Sequence, residues 1–294
     1  MIFLVNRILK RRVNLKNKNS LKIESICSFY AEPADIEEIL YVINFAQKRG
    51  IPYAFIGGGS NILLPDGLFE ALIISTRNLK EFVLTDDGVI VDAGVKFSKI
   101  IPKLSEVEMG GLEFTVGIPA TVGGAICMNL GSMGKNISDY LEEIFVYEKT
   151  GFKKLKRSEI QFSYRKGYKG GLIISAYFKL ERKSRDKIEE EIVSILSKKR
   201  QTQPLEYPSA GCIFKNPSKE YPAGKLIELA GLKGLRVGGA EISIKHANFI
   251  INKGHARAKD IKEIIKIVQE KVYEKFGILL EREILYLEEI LYER

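Results

Sequence analysis

The sequence predicts an α+β fold, because helical and strand patterns mix along the chain without the regular strand–helix alternation of a doubly wound sheet. Apolar residues recur at helical spacing in several segments, short apolar strands lie between them, and two glycine-dense blocks interrupt the strands. The 294 residues are 45% hydrophobic and 28% charged, which is enough apolar material for a sizeable core. At roughly 150 residues per domain, this length corresponds to about two domains.

The first part of the chain contains a capped helix followed by strands. Asp35 can cap a helix over residues 36–50, because Glu38 follows three residues later as a capping-box partner and a glycine stands at the end. Short buried strands are predicted at 53–56 and 72–75.

A hairpin and a second helix follow. Residues 82–84 and 89–91 predict two strands joined by the turn residues Asp-Asp-Gly at 86–88. Residues 97–107 predict a helix that Pro102 could shorten.

The second half of the chain continues the mixed pattern. Residues 144–148 and 172–180 predict a pair of antiparallel strands, and residues 186–200 and 258–276 predict two amphipathic helices. Boundaries are expected near residues 76 and 185. They divide the chain into three portions, 1–76, 77–185 and 186–294.

The positive charge is unevenly distributed. The net charge is +9, with +6 in residues 1–24 and +10 in residues 149–203, so the rest of the chain carries −7. A basic balance suggests an anionic partner but does not choose among nucleic acid, lipid headgroups and phosphorylated small molecules. The function of residues 1–20 stays open.

The three cysteines indicate a reducing compartment. Cys27, Cys127 and Cys212 are far apart in the sequence. Because the number of cysteines is odd and no C-x-x-C pair is present, the sequence encodes neither a disulfide framework nor a zinc site. The N-terminal apolar run is short and precedes its positive charge, unlike a secretory signal. No stretch is long enough to span a bilayer. We therefore expect a cytoplasmic protein with no metal site and no membrane partner.

The first glycine block follows a predicted strand and reads Gly57, Gly58, Gly59, Ser60, Asn61. Consecutive glycines let backbone N–H groups converge without Cβ atoms in the way, which suits a pyrophosphate. An ordinary tight loop is the simpler interpretation of three glycines alone. The block is neither a G-x-G-x-x-G fingerprint nor a Walker A sequence.

The second glycine block lies within residues 110–134 and surrounds a proline. Such a segment is typical of chain held against a flat ligand, and it is equally compatible with a packed crossover that binds nothing. The two blocks together are consistent with a dinucleotide bound between them.

Six blocks in their order resemble the UDP-N-acetylenolpyruvoylglucosamine reductase (MurB) family. The blocks read GGGSN, GLEF-x-VGIP-x-TVGGA, SYR, PSAGC-x-FKNP, GGAEIS-x-KHANFI-x-N and LEREI, and they cover about residues 50–287. The resemblance implies an FAD-binding fold of the vanillyl-alcohol-oxidase (PCMH) type, followed by an α+β C-terminal substrate-binding domain. On this basis residues 1–76 and 77–185 would be two FAD-binding subdomains, and residues 186–294 the substrate-binding domain.

The resemblance also implies a reaction. A member would use NADPH and non-covalently bound FAD to reduce the enolpyruvyl ether of UDP-N-acetylglucosamine to UDP-N-acetylmuramate, a peptidoglycan precursor. Hydride would pass from flavin N5 to C3 of the enolpyruvyl group. The resulting enolate would need electrostatic stabilisation and a proton at C2.

Three residues match the family's catalytic positions. Arg165 in SYR would stabilise the enolate, Cys212 in PSAGC stands where many members carry a serine proton donor, and Glu283 in LEREI matches a glutamate near the C-terminus. Its neighbour Glu281 is the obvious alternative. Read without the resemblance, such an arginine is more often a solvated charge and such a cysteine a small buried hydrophobe.

The resemblance also implies binding residues. FAD would contact Gly57, Gly58, Gly59, Ser60, Asn61, Gly117, Ile118, Pro119, Thr121, Gly123, Gly124 and Asn129. The UDP-sugar would contact Tyr164, Lys215, Asn216 and His246, with His246 the weaker match. A monomer acting on small molecules, with no nucleic-acid partner, is the default expectation.

Some positions depart from the family pattern. Residues 21–25 read Leu-Lys-Ile-Glu-Ser where the family usually has Phe-Lys-Ile-Gly-Gly, so a flavin contact from those glycines is not expected. Met133 stands where the family has an aromatic residue. The chain fits the branch without a tyrosine-bearing lid insertion, which leaves open how the site closes.

Two alternatives are separable by simple observations. Another FAD oxidoreductase of this fold could hold its flavin through a histidine near the first loop, but the only histidines are His246 and His255. A nucleic-acid-binding protein would explain the charge, yet the basic middle stretch lacks a recognised binding signature.

Overall fold

The computed structural model describes residues 8–292. Residues 1–7, which include Arg7 and begin the basic N-terminal segment, lie outside the described residues, as do residues 293–294. The α-helices are α1 (Ile36–Lys48), α2 (Phe97–Glu106), α3 (Val122–Cys127), α4 (Arg185–Thr202), α5 (Ala223–Leu229), α6 (Ala258–Phe276) and α7 (Leu287–Tyr292). The strands are β1 (Leu9–Asn14), β2 (Ser25–Ala31), β3 (Tyr53–Ile56), β4 (Ile62–Leu63), β5 (Gly67–Ser75), β6 (Phe82–Thr85), β7 (Gly88–Asp92), β8 (Met109–Gly110), β9 (Gly131–Ser132), β10 (Lys135–Asn136), β11 (Leu141–Glu148), β12 (Gly151–Lys156), β13 (Leu172–Lys179), β14 (Glu181–Arg182), β15 (Ser209–Cys212), β16 (Arg236–Val237), β17 (Ala240–Ile242), β18 (Phe249–Asn252) and β19 (Leu285–Tyr286).

The first sheet has the order β1-β2-β5-β3, in which β2, β5 and β3 run parallel and β1 is an antiparallel edge. β1 pairs Leu9 with Ala31, and its charged residues 10–12 are exposed. Exposed charges on an edge strand discourage pairing with another chain. The sequence left the function of residues 1–20 open. Part of this segment, strand β1, therefore forms a sheet edge.

Helix α1 packs on this sheet. Asp35 Oδ1 accepts from the N–H of Glu38 at 2.8 Å, and Glu38 Oε2 accepts from the N–H of Ala34 at 2.8 Å, so both predicted capping side chains are used. Apolar residues of the helix, among them Ile39 and Ile43, are buried against the sheet.

The second sheet is antiparallel throughout, in the order β12-β11-β13-β7-β6. The predicted hairpin is confirmed as β6 and β7, which pair Thr85 with Gly88. Helix α2 continues past Pro102 to Glu106, so the proline does not shorten it. Phe97 and Leu104 on this helix are buried in the middle core.

The third sheet, in the order β15-β18-β17-β16, carries the C-terminal core with helices α5 and α6. The helix predicted at 258–276 is confirmed as α6, and Gly277 ends it at φ +68°. Ile261, Ile264 and Val268 on its apolar face are buried.

Helix α4 packs on the middle core rather than on the C-terminal one. Ile192 packs against the middle core, and the buried Lys199 donates to the backbone carbonyl of Val116. The division of the chain at residues 76 and 185 stays a prediction.

Two contacts join the C-terminal part of the chain to residues 62–66, which lie between β3 and β5. β19 pairs in parallel with β4, matching Leu285 with Ile62. The carboxylate of Asp66 accepts from the N–H groups of Ala258 at 2.6 Å and Lys259 at 3.0 Å, at the start of α6. The end of the chain thereby returns to the loop region that follows β3.

Residues 8–292 contain neither a disulfide nor a membrane-spanning helix. Cys27, Cys127 and Cys212 are free thiols. None of the helices in this range is both long and apolar enough to cross a membrane.

Candidate active site

A bulge in strand β15 sets the position of Cys212. Ser209 pairs with Ile251 and Cys212 with Phe249, and the register shifts between these two pairs. Gly211 lies in the shift at φ +76°, a left-handed conformation that favours glycine. The glycine of the PSAGC block is therefore needed for the backbone path into Cys212.

The chain after Cys212 pairs with the LEREI block. The N–H of Lys215 donates to the carbonyl of Glu281 at 2.9 Å, and the N–H of Glu283 donates to the carbonyl of Ile213 at 2.7 Å. These bonds place Glu283 beside the segment that leaves Cys212.

Asn248 holds the same segment from the other side. Its Oδ1 accepts from the N–H of Phe214 at 2.9 Å, its Nδ2 donates to the carbonyl of Phe214 at 2.8 Å, and its carbonyl accepts from Ile213 at 2.9 Å. Asn248 is buried, and the sequence analysis missed it. Its place in the KHANFI block was the available signal.

Arg165 projects from a tight turn. Ser163 and Lys166 exchange backbone hydrogen bonds of 2.9 and 3.1 Å, and Arg165 between them has φ +57°. Asn129 Nδ2 donates to the carbonyl of Ser163 at 3.0 Å and stabilises this turn. The buried Asn129, expected to contact FAD, thus has a structural role in presenting Arg165; its cofactor contact stays a prediction.

Arg165 and Glu283 form a mostly buried ion pair. Arg165 Nε lies 3.0 Å from Glu283 Oε1, and Arg165 Nη1 donates to the carbonyl of Gly131 at 2.9 Å. The two side chains retain 21% and 14% of their exposure, respectively, so the pair is shielded yet reachable. The structure therefore brings together two of the three predicted catalytic residues by direct contact.

Cys212 belongs to the same electrostatic cluster. Burial, and after it the charge of Glu283, raise the pKa of the Cys212 thiol to about 12, against the opposing charge of Arg165. Burial likewise raises the pKa of Glu283, against the lowering effect of Arg165 and Lys215. The thiol is therefore protonated at neutral pH.

Three of the predicted substrate residues lie together beside this cluster. Tyr164 is exposed, and its hydroxyl accepts from the N–H of Asn216 at 3.3 Å. Lys215 forms an ion pair with Glu281, and Asn216 Oδ1 accepts from the N–H of Ala223 at 3.0 Å at the start of α5.

His246 is not joined to them by a hydrogen bond within residues 8–292. Its Nδ1 accepts from the N–H of Asn248 at 3.3 Å, and its ring packs edge-on against Phe249 with centroids 4.8 Å apart. Burial lowers the pKa of His246, so the ring is neutral at neutral pH. A contact between His246 and the substrate stays a prediction.

The two glycine blocks contact each other. A Cβ on Gly57 would lie 2.3 Å from Thr121 Oγ1, and one on Gly58 would lie 3.0 Å from the carbonyl of Pro119. A Cβ on Gly59 would lie 2.3 Å from the carbonyl of Lys18. Side chains at these positions would force the blocks apart, so the glycines are required by packing as well as by any ligand.

The first block also has free hydrogen-bond donors. Gly59 is buried, and the backbone N–H groups of Gly58, Gly59 and Ser60 donate to no residue within the described part of the chain. A buried N–H without an acceptor destabilises a protein by roughly 1–3 kcal/mol. An anion such as the diphosphate of FAD would satisfy these donors, so the residues present fit the cofactor.

The second block is held by its own backbone bonds. Gly123 donates to the carbonyl of Ala93 at 2.8 Å, and Thr121 Oγ1 accepts from the N–H of Gly124 at 3.4 Å at the start of α3. The exposed Gly117 packs against Lys199 of α4. Contacts of this block with FAD, including those of Ile118 and Pro119, stay predictions.

Asn61 connects the first block to Glu283 of the ion pair. Its Nδ2 donates to the carbonyl of Glu283 at 3.1 Å, and its own carbonyl accepts from the N–H of Leu285 at 3.2 Å. The glycine loop and the ion pair of Arg165 with Glu283 are thereby neighbours. Among the described residues, no group of three or more His, Cys, Asp or Glu side chains is placed to hold a metal ion.

Two family models match the chain. The model described as FAD binding domain matches residues 27–151, and the model described as UDP-N-acetylenolpyruvoylglucosamine reductase, C-terminal domain, matches residues 203–287.

Proteins named UDP-N-acetylenolpyruvoylglucosamine reductase are similar to the chain over most of its length. The protein of Clostridium novyi (strain NT) is 38% identical over 280 residues, covering 94% of this chain and 91% of the relative. That of Moorella thermoacetica is 40% identical over 257 residues, covering 86% and 85%. The crystal structure of UDP-N-acetylenolpyruvylglucosamine reductase (MurB) from Thermus caldophilus has a TM-score of 0.79 and 33% identity, covering 95% of this chain and 98% of that one. The predicted α+β fold, an FAD-binding fold of the vanillyl-alcohol-oxidase type with a C-terminal domain, is therefore confirmed.

Proposed function

From the premise that the chain belongs to the UDP-N-acetylenolpyruvoylglucosamine reductase (MurB) family, an FAD-dependent oxidoreductase family of peptidoglycan synthesis, we propose its specific reaction. The chain uses NADPH and non-covalently bound FAD to reduce the enolpyruvyl ether of UDP-N-acetylglucosamine to UDP-N-acetylmuramate. One observation carries the proposal: Arg165 and Glu283, from two separate segments, are in ion-pair contact beside the glycine loop, and Cys212, from a third, interacts electrostatically with both in the same half-buried cluster.

FAD, when bound, supplies the relay of hydride from NADPH to C3 of the enolpyruvyl group. Gly58, Gly59 and Ser60 would hold its diphosphate with their free N–H groups, and Asn61 fixes this loop against the Glu283 segment. The loop that would hold the diphosphate is therefore fixed relative to Glu283.

Arg165 stabilises the negative charge that develops on the enolate and its carboxylate. Its guanidinium is permanently charged, Nη1 donates to the carbonyl of Gly131, and Nε lies in ion-pair contact with Glu283. Nη2 is the donor that we assign to the substrate. Because the turn around Ser163 fixes the backbone, the charge is positioned before the substrate arrives.

Cys212 donates the proton to C2. A thiol whose pKa is raised to about 12 keeps its proton throughout the neutral range, so the donor form predominates. A carbon-centred enolate is a far stronger base than a thiolate, so transfer remains favourable despite the raised pKa.

Glu283 orients this pair. Its carboxylate holds Arg165 at 3.0 Å, and its charge favours the protonated form of Cys212. Glu283 thus holds Arg165 in position and keeps Cys212 protonated.

Phosphates of the UDP-sugar bind at the neighbouring cluster of Tyr164, Lys215 and Asn216, with His246 deeper in the same domain. The basic stretch over residues 149–203, which contains Arg165, adds positive charge that attracts NADPH and the nucleotide substrate. Three free thiols support a cytoplasmic setting, and we take the working unit to be a monomer that binds neither nucleic acid nor membrane.

The visible spectrum of the purified protein tests the proposal. A yellow protein is expected, whose flavin absorbance bleaches with NADPH and returns when the enolpyruvyl substrate is added without oxygen. Bleaching without substrate-driven return would indicate another flavin oxidoreductase of this fold. A colourless protein with strongly salt-dependent oligonucleotide binding would indicate a nucleic-acid-binding protein.

Denaturation supplies a second check on the flavin. Neither His246 nor His255 lies in the 57–61 loop, so unfolding should release free FAD into solution. Flavin that stays with the precipitated chain would contradict non-covalent binding.

A further inference from the structure

Arg77 lies behind the glycine loop at 57–61 and has no part in the chemistry above. It belongs to the 3₁₀ turn Thr76–Asn78 that follows β5. Its Nη2 donates to the carbonyl of Gly58 at 3.1 Å and to the carbonyl of Lys18 at 3.0 Å. Its Nε is buried and has no hydrogen-bond partner among the described residues.

The bond to Gly58 fixes the direction of the next N–H group. In a trans peptide the carbonyl of Gly58 and the N–H of Gly59 point in opposite directions. Because Arg77 occupies the carbonyl side, the N–H of Gly59 faces away from it. The carbonyl of Gly59 accepts from the N–H of Ser20 at 2.9 Å, and its φ of +67° sets the turn, so both sides of the residue are constrained.

The charge of Arg77 is not neutralised by a direct partner. No carboxylate in residues 8–292 lies within ion-pair distance of its guanidinium. The acidic group near it, Glu32, is already bound to Lys18 at 3.0 Å and to the hydroxyl of Tyr30. A positive charge behind a loop with free N–H groups favours an anion on the open side of that loop.

We propose that Arg77 is a positioning residue for the diphosphate of the dinucleotide. It acts through the glycine loop by presetting the Gly58–Gly59 peptide, and it adds a positive charge behind that peptide. The inference rests on the FAD binding in the proposed function.

The experiment compares Arg77→Gln and Arg77→Lys with wild type. Arg49→Gln is the matched control, because this substitution removes the same charge elsewhere. Arg49 is an exposed arginine whose guanidinium lies over the Phe45 ring, 4.2 Å from its centroid. The full-length chain is stripped of flavin, and the Kd for FAD is measured by flavin fluorescence at two salt concentrations, with ADP as competitor. The melting temperature of each flavin-free variant reports on folding.

Arg77→Gln is expected to weaken FAD and ADP by the same factor, about 10-fold to 100-fold, and to reduce the salt dependence of FAD binding. Arg77→Lys should restore the salt dependence but only part of the affinity, because an ammonium group lacks the planar fork that reaches two carbonyls. Arg49→Gln should leave both quantities unchanged.

Two results would overturn the assignment. Unchanged FAD affinity in Arg77→Gln would remove the role altogether. A loss of affinity with wild-type salt dependence, no rescue by lysine and a lower melting temperature would make Arg77 a purely structural residue. If the wild-type chain itself bound no FAD, the proposed function would fail, which is a different outcome from either of these.

Discussion

The chemistry of Cys212 is decided by its surroundings rather than by the intrinsic acidity of a thiol. A free thiol, with a pKa of about 8.5, would be partly ionised in mildly alkaline solution. Burial and the charge of Glu283 raise the pKa of Cys212 to about 12, so it holds its proton until a strong base appears. An enolate is such a base, and ordinary solutes are not.

Replacing Cys212 should separate the two half-reactions. Cys212→Ala is expected to leave flavin reduction by NADPH nearly intact and to slow reoxidation by the enolpyruvyl substrate about 100-fold to 10,000-fold, because only the second step needs the proton. Cys212→Ser should retain substantial activity, since a hydroxyl can occupy the same place. Stopped-flow flavin absorbance measures both steps.

The matched control is Cys127→Ala, which removes a thiol that packs on the middle core. It should leave both half-reactions unchanged. Equal losses in both half-reactions for Cys212→Ala would make Cys212 a structural residue, and an inactive serine variant would remove its role as donor.

Arg165 should matter most after hydride has entered the flavin. Arg165→Ala is expected to slow substrate-driven reoxidation about 100-fold to 1,000-fold, because one preorganised charge for the enolate is lost. Reduction by NADPH should change much less. Rapid-mixing measurement of each half-reaction checks the order.

Arg157→Ala is the control, because the Arg157 guanidinium also donates to a backbone carbonyl, that of Ser138 at 3.1 Å, without contacting Glu283. It should leave the ratio of the two rates unaltered. A larger loss in the NADPH step than in the substrate step for Arg165→Ala would exclude the enolate role.

At the scale of elements, the site depends on the return of the last strand to the first sheet unit. β19 pairs with β4, Asn61 binds the Glu283 backbone, and Asp66 accepts two N–H groups at the start of α6. These contacts join segments that are about 200 residues apart in sequence, and loop closure over such lengths requires well-defined partners. The geometry of Glu283 is thus set by cofactor-loop residues.

Asp66→Ala should loosen this junction. The loss of a cap on α6 is expected to lower the free energy of unfolding by about 1–2 kcal/mol and to speed amide exchange both at the start of α6 and at 285–286. Asp35→Ala is the matched control, since Asp35 caps α1 within its own unit. Denaturant titration and hydrogen exchange measure the two effects.

For the control, the loss should be about 1 kcal/mol, with faster exchange confined to the start of α1. If Asp66→Ala left exchange at 285–286 at the wild-type rate, the junction would not depend on Asp66.

At the scale of the whole molecule, the described residues form four apolar clusters that are joined by polar contacts, and one of these contacts involves a buried lysine. Lys199 of α4 donates to the carbonyl of Val116 on the middle unit, and no carboxylate within the described chain pairs with it. Burial lowers the pKa of Lys199 to about 8. The folded state therefore disfavours the charged form, and stability from this group rises with pH between about 8 and the unfolded value near 10.4.

Lys199→Met should stabilise the protein at pH 7 by about 1–2 kcal/mol, after allowing for the lost hydrogen bond. The difference from wild type should shrink as pH rises from 8 to 10, because the wild-type lysine then becomes neutral when folded. Urea titrations at pH 7 and pH 9.5 measure this. Lys198→Met, an exposed neighbour on the same helix, should show no such trend. A pH-independent difference for Lys199→Met would contradict the burial of an unpaired charge.

The local elements and the family were predictable from the order of the residues alone. The hairpin at β6 and β7, the helix at 258–276 and the capped helix after Asp35 follow from periodicity and turn chemistry, which act over a few residues. Six ordered blocks identified the family, and with it the catalytic candidates.

Which side chains meet, and which protonation states they take, became visible only in the folded chain. Three contacts depend on pairings between distant segments: Arg165 with Glu283, Asn129 with the Arg165 turn, and Arg77 with the glycine loop. Periodicity carries no information about such pairings. The pKa of Cys212 likewise depends on burial and on charges brought near by the fold, so a motif could name the residue but not its protonation state.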